Sequence, residues 1–125
     1  MKILHVDDNP SQRDILKIML ELSGYQVASA SDGFVGIEVA IAWQPNLILM
    51  DLRMPRMDGF EAMRQLKRDE TVAHIPIIAV SAWDSKTIRK TVIKAGADKF
   101  MAKPFDPGKL LACINQMVLR VPSLS

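Results

Sequence analysis

The chain has 125 residues, 49% hydrophobic and 24% charged, a balance that gives one domain with a true apolar core and excludes a disordered chain. Sixteen basic against fourteen acidic residues leave a net charge of +2, too small to argue for nucleic-acid binding, and the single Cys113 excludes an internal disulfide framework and suits a reducing compartment. No apolar run approaches the roughly 18 residues of a membrane span, and the opening MKILHVDDNP turns acidic too early for a secretory signal.

The elements follow in chain order. Ile3, Leu4 and Val6 predict a first strand. Asn9-Pro10 reads as a helix cap and first helical position. Ile15, Ile18, Met19 and Leu22 then recur at helical spacing, and Gly24 supplies the stop. Tyr25 to Ala30 predicts a second strand. Asp32-Gly33 turns into a helix with Ile37, Ala40 and Ile41 on one side, broken at Pro45-Asn46. Leu47 to Met50 is wholly apolar, as in a strand covered on both faces. Asp58-Gly59 opens a third helix with Phe60, Met63 and Leu66, and Pro76 to Val80 predicts strand four. A fourth helix spans about Asp84 to Ala95 with Ile88 and Val92 facing the core. Lys99 to Ala102 predicts strand five, and Pro107 starts a last helix carrying Leu110, Ile114 and Met117. Strands alternating with helices predict an α/β domain, a parallel sheet covered on both faces. Sites in such folds form beyond the carboxyl ends of the strands.

Those strand ends carry the polar residues of interest. Strand one ends in Asp7-Asp8, strand three in Asp51, strand four in Ser81 and strand five in Lys103-Pro104. Taken singly, an aspartate after a strand is usually a turn former or cap, Ser81 a cap and Lys103 a surface charge. Asp51 is harder to explain that way, because it directly follows Leu-Ile-Leu-Met, where an unpaired carboxylate is costly. Gathered at one edge, three carboxylates repel one another. A hard divalent cation relieves that repulsion, and all-oxygen ligands favour Mg²⁺ over Zn²⁺. Carboxylates, a cation site and a nearby lysine suit a phosphoryl group, with a carboxylate as nucleophile and the Ser81 hydroxyl as a donor.

Four motifs make the comparison specific: Val-Asp-Asp-Asn at 6–9, Leu-Met-Asp-Leu-Arg-Met-Pro-Arg-Met-Asp-Gly at 49–59, Val-Ser-Ala at 80–82 and Lys-Pro-Phe at 103–105. With them the chain resembles the receiver domains of two-component response regulators over about residues 1–120, leaving 121–125 as a short tail. The resemblance implies a doubly wound, flavodoxin-like fold of five parallel strands in the order 2-1-3-4-5. It implies that Asp51 accepts a phosphoryl group from a histidine kinase or histidine phosphotransfer protein. Asp8 would ligate Mg²⁺ directly and Asp7 largely through water, with Asp51 and the backbone carbonyl of Arg53 completing the protein ligands; Mn²⁺ would substitute. Lys103 would pair with the phosphoryl oxygens, Ser81 would move to hydrogen-bond them, and Phe100 holds the position of an aromatic switch residue. The Lys103–Pro104 peptide is expected to be cis. The implied protein is a cytoplasmic signalling switch, not a turnover enzyme. It would control a downstream protein target through its helix 4–strand 5–helix 5 face, as a monomer or weak dimer, with no direct nucleic-acid contact and no membrane insertion. The start and end of the chain favour a stand-alone domain over a piece of a longer regulator.

Some positions individualise the chain. Arg53 and Trp83 flank the path of a water attacking the acyl phosphate, and their bulk is expected to slow its hydrolysis, against the alternative that both point to solvent. Lys86, Lys90 and Lys94 recur every four residues with Arg89 beside them, and 85–95 holds four basic and no acidic residues. That stripe is either a solvated face or a docking surface for an acidic partner. His5 reads as a core histidine with its hydrogen bonds satisfied, His74 as loop and Cys113 as helix packing. A haloacid-dehalogenase-type phosphatase needs an acid where Arg53 stands. A flavin carrier needs a phosphate loop where Asp-Asp-Asn-Pro would repel phosphate. A pseudo-receiver, a constitutive interaction module, is the remaining alternative, and none of the residues such proteins typically lack is missing here.

Overall fold

The computed structural model describes residues 1–54 and 56–120; the expected tail at 121–125 lies outside the described residues. The elements run β1 (Lys2–Val6), α1 (Pro10–Leu22), β2 (Gln26–Ala30), α2 (Gly33–Trp43), β3 (Leu47–Asp51), α3 (Gly59–Arg68), β4 (Ile77–Ser81), α4 (Lys86–Ala95), β5 (Lys99–Ala102) and α5 (Pro107–Arg120). All strand pairs are parallel and the sheet order is β2-β1-β3-β4-β5, as expected.

Turn chemistry fixes the helix starts. The side chains of Asn9, Asp32, Asp58 and Ser85 accept the backbone N–H groups of Gln12, Val35, Glu61 and Ile88. Each such cap stabilises its helix by about 1 kcal/mol. Because Ser85 caps α4, that helix starts at Lys86, two residues later than the pattern predicted. The Lys103–Pro104 peptide is cis.

Every residue of β3 and β4 is buried, which accounts for their unbroken apolar runs. Side chains alternate across the sheet and build two cores. Leu4, Val6, Ile48, Met50, Ile77 and Ala79 pack with α2, α3 and α4. Ile3, Leu47, Leu49, Ile78 and Val80 pack with Leu16 and Leu20 of α1 and with Leu110, Ile114 and Met117 of α5. The predicted inner faces of α4 and α5 are therefore the observed ones.

Two helices turn differently from expectation. On α1 the expected stripe is split: Met19 packs against the core, but Ile15, Ile18 and Leu22 are 59%, 61% and 83% exposed, while Leu16 and Leu20 face the core. Apolar residues occupy most of that helix's circumference, so its face is set by where β1 delivers the chain; the guanidinium of Arg13 holds the Asp7 carbonyl at 2.7 Å. On α2 Ala40 is buried and Ile37 packs against the core as expected, but the other buried positions are Gly33 and Gly36, and Ile41 is exposed. The helix lies so close to β1 that a Cβ at Gly36 would come within 2.9 Å of Val6, so only small residues fit against the sheet.

Gly59 has the most direct bearing on the strand ends. A methyl group there would collide with the Asp51 carbonyl oxygen and the Leu52 Cα. The first turn of α3 therefore presses on the end of β3 and pins Asp51.

Candidate functional site

The carboxyl ends of β1, β3 and β5 converge. Carboxylate oxygens of Asp7, Asp8 and Asp51 lie within 4.8 Å of one another. Asp7 and Asp51 are buried and Asp8 is exposed at the mouth. Lys103 reaches in from the turn after β5, with Nζ 3.4 Å from Asp7 Oδ2 and 3.3 Å from Asp51 Oδ2. One ammonium thus bridges two carboxylates, and the cluster keeps a net negative charge.

The buried acids differ in their partners. Asp7 Oδ1 accepts the Asn9 N–H at 2.9 Å, and Oδ2 faces both Lys103 and His5. Burial pushes the Asp7 carboxyl up, but hydrogen bonding from His5 and Asn9 and the charge of Lys103 outweigh it and hold the group well below the ordinary carboxylate range. Asp51 Oδ1 accepts one backbone N–H, from Arg53, at 3.1 Å. There burial prevails over that bond and over Lys103, and the neighbouring Asp7 adds to it, so the Asp51 carboxyl lies above its ordinary value.

The remaining expected residues stand at varied distances from this cluster. Ser81 is buried at the end of β4, and its Oγ accepts the Trp83 N–H at 3.0 Å. Arg53 and Trp83 are exposed and, with Asp8 and Met54, line one hollow over the cluster. Phe100 is half-buried against the α2–α4 core, with the Arg89 guanidinium 5.2 Å from its ring centre. Arg89 is also engaged by both oxygens of Asp84, at 2.8 and 3.0 Å, yet it stays exposed and lines one shallow hollow with Lys90, Ile93 and Lys94. Lys86, Lys90 and Lys94 are exposed and make no ion pair among the described residues.

Sequence reasoning missed His5. The ring is buried, as expected, but its hydrogen bonding is only half satisfied: Nε2 faces Asp7 Oδ2 at 3.5 Å, and Nδ1 has no partner. The signal was present, because residues two apart on a strand share a face.

An oxygen-only cluster at the end of a buried strand, bridged by one lysine, suits a hard cation and a phosphoryl group. The profile of the response regulator receiver domain matches residues 3–115. The chain belongs to the receiver-domain family of two-component response regulators. Receiver domains are signalling switches that bind Mg²⁺ in an acidic pocket. The chain is 38% identical over 119 residues to the DNA-binding dual master transcriptional regulator RpaA of Synechocystis, covering 95% of this chain and 49% of that protein, so it spans about half of RpaA's length. It is 38% identical over 117 residues to the protein PilH of Pseudomonas aeruginosa, covering 94% of this chain and 97% of PilH. Among solved structures, the receiver domain of a Pseudomonas aeruginosa sensor histidine kinase superposes with a TM-score of 0.86 at 32% identity, over 94% of this chain and 96% of that one; a magnesium ion is coordinated in its active-site cleft. No helix among the described residues of this receiver is long and apolar enough to cross a membrane.

Proposed function

We propose that residues 1–120 form a phosphorylation-dependent switch in which Asp51 accepts a phosphoryl group from the phosphohistidine of a histidine kinase or histidine phosphotransfer protein. The observation that carries this reading is Lys103 Nζ held between Asp7 Oδ2 and Asp51 Oδ2 at 3.4 and 3.3 Å, beside a third carboxylate. A carboxylate oxygen of Asp51 attacks phosphorus, the phosphorus–nitrogen bond breaks, and its electron pair returns to the imidazole ring. Lys103 neutralises phosphoryl oxygens as charge builds on them.

The donor set fits a hard divalent ion, since it consists of oxygens only. Asp8, Asp51 and the Arg53 carbonyl would hold it directly and Asp7 through water. The protein donors already facing both Asp7 oxygens support the indirect role. Mg²⁺, or Mn²⁺ in its place, would offset the negative charge shared by the carboxylates and the phosphoryl group.

Phosphorylation adds about −1.5 to −2 charges at Asp51. Ser81 Oγ uses a lone pair on the Trp83 N–H, which leaves its hydroxyl hydrogen for a phosphoryl oxygen. A conformer offering that bond gains population by its differential energy. Phe100 fills the space Ser81 vacates and changes the α4–β5–α5 face, where Lys86, Lys90 and Lys94 suit an acidic protein target and which is the site of any weak dimer. Phe100 has no hydroxyl, so no tyrosine-type hydrogen bond takes part. The exposed Ile15 and Ile18, beside the groove formed by Gln12, Leu16, Lys103 and Phe105, give the donor an apolar landing next to Asp51. The domain acts in the cytoplasm and turns over no substrate of its own.

Incubation with acetyl phosphate, followed by intact-mass measurement, tests this reading. One phosphoryl addition is expected with Mg²⁺, none with chelator and none for Asp51→Asn; an addition that survives Asp51→Asn, or no addition at all, contradicts it. Arg53 and Trp83 would screen the acyl phosphate from water, so replacing both with alanine shortens the lifetime of the label; an unchanged lifetime assigns both to solvent.

A further inference from the structure

One buried polar side chain beside the cluster has no part in the chemistry above. His5 precedes Asp7, the residue that follows β1, by two positions; the Asp7 N–H still pairs with the Ala30 carbonyl at 3.0 Å, so the two side chains share a face of the sheet. The buried side chains around it on that face, Ile3, Leu47 and Leu49, are aliphatic, and the polar residue level with it on β2, Ser29, is exposed. An imidazole there is costly unless it is hydrogen-bonded, yet the His5 side chain is only 5% exposed and its Nδ1 is the one buried side-chain polar atom without a partner among the described residues. Nε2 faces Asp7 Oδ2 at 3.5 Å, the same oxygen that Lys103 Nζ approaches at 3.4 Å.

That sharing matters because Lys103 has two obligations. While Asp51 is bare, one ammonium serves Asp7 and Asp51 together. Phosphoryl oxygens on Asp51 would draw the Lys103 ammonium toward themselves and away from Asp7, because charge-assisted contacts to phosphate are strong. Asp7 Oδ2, on a side chain 1% exposed, then has His5 as its remaining side-chain donor. An unpartnered buried carboxylate oxygen is expensive, and an Asp7 that swings away no longer supports the metal-binding edge of the cluster.

We propose that His5 is a positioning residue: its Nε2–H holds the Asp7 carboxylate in place when Lys103 leaves it for the phosphoryl group. The inference rests on the reading of Asp51 as phosphoacceptor. Its consequence is selective. In the unphosphorylated protein Lys103 still covers Asp7, so Mg²⁺ binding does not depend on His5, whereas the transfer step does.

The test compares wild type, His5→Leu and His5→Gln, whose amide nitrogen reaches the place of Nε2. Mg²⁺ affinity of the unphosphorylated protein, read from tryptophan fluorescence, is expected to be the same in all three. The rate of labelling by acetyl phosphate at saturating Mg²⁺ is expected to fall about tenfold in His5→Leu, the low end of outer-shell effects around metal sites, and to be largely restored in His5→Gln. Loss of Mg²⁺ affinity together with rate marks a merely structural role and overturns the proposal, as does an unchanged rate or a His5→Gln variant no better than His5→Leu. Nitrogen-15 NMR of the wild-type imidazole is a check that needs no variant to fold: the hydrogen is expected on Nε2, and a ring bearing it on Nδ1 alone overturns the proposal. Wild type that takes no phosphoryl group overturns the Asp51 reading, and this inference with it; normal labelling of wild type with no effect at position 5 overturns this inference alone.

Discussion

The two edges of the sheet treat charge in opposite ways. At the amino edge each polar group is matched locally. The Lys2 N–H donates to Asn46 Oδ1 at 2.7 Å, and Lys2 Nζ lies 5.1 Å from the Trp43 ring centre. Asp98 Oδ2 accepts the Ile77 N–H at 2.8 Å, while Lys67 Nζ binds the carbonyls of Ala73 and Ile75 at 3.1 and 3.0 Å. At the carboxyl edge three carboxylates crowd together, only two of them facing a lysine, and the buried His5 is left with a bare nitrogen. The same sheet holds both arrangements. The lesson is that uncompensated charge, more than polarity, separates a working edge from a merely well-capped one.

Substitutions at the two edges therefore have separable effects, and the largest belongs to Lys103. Lys103→Ala is expected to slow labelling by acetyl phosphate about a hundredfold, the scale for losing a preorganised donor to developing charge. Time courses of intact mass read this. At the opposite edge, Asp98→Ala removes the acceptor of the Ile77 N–H and costs about 1 kcal/mol, visible as a lower urea midpoint with labelling unchanged. If Asp98→Ala impairs labelling as strongly as Lys103→Ala, the division between the edges fails.

The smallest effect concerns pH. In metal-free protein the Asp51 carboxyl lies above its ordinary value, chiefly through burial. Its contribution to stability is full below the ordinary carboxylate range and is lost as pH rises through the raised value. Asp7 has the opposite sign, contributing above that range and losing its contribution as pH falls. Asp51→Asn removes the first contribution, so with chelator present its melting temperature is expected to rise relative to wild type between acid and neutral pH. A difference that stays flat or shrinks over that interval contradicts the charge assignment.

Much of this was legible because short-range chemistry decides it. Asn9-Pro10, Asp32-Gly33 and Asp58-Gly59 each place a cap oxygen at a helix start, and the structure uses all three. Strand ends follow from the apolar runs, which puts Asp7, Asp8, Asp51 and Lys103 on one sheet edge; the strand order that makes them neighbours is what the resemblance to receiver domains implies. What failed depended on how elements dock. The stripe of Ile15, Ile18 and Leu22 was as good a core face as Leu16 and Leu20 until the path out of β1 chose between them. Ile41 lost its place because α2 sits too close to Val6 for anything but glycine and alanine.

The central claim is that the carboxylate at the end of β3 is the one that takes the phosphoryl group. Reduction of the labelled protein with borohydride, followed by peptide mapping, tests it most directly, because the reagent converts an acyl phosphate into a stable alcohol at the residue that carried it. The account predicts conversion at Asp51, in the peptide that also holds Arg53. Conversion at Asp7 or Asp8 instead, or none in protein whose mass shows the label, would contradict it.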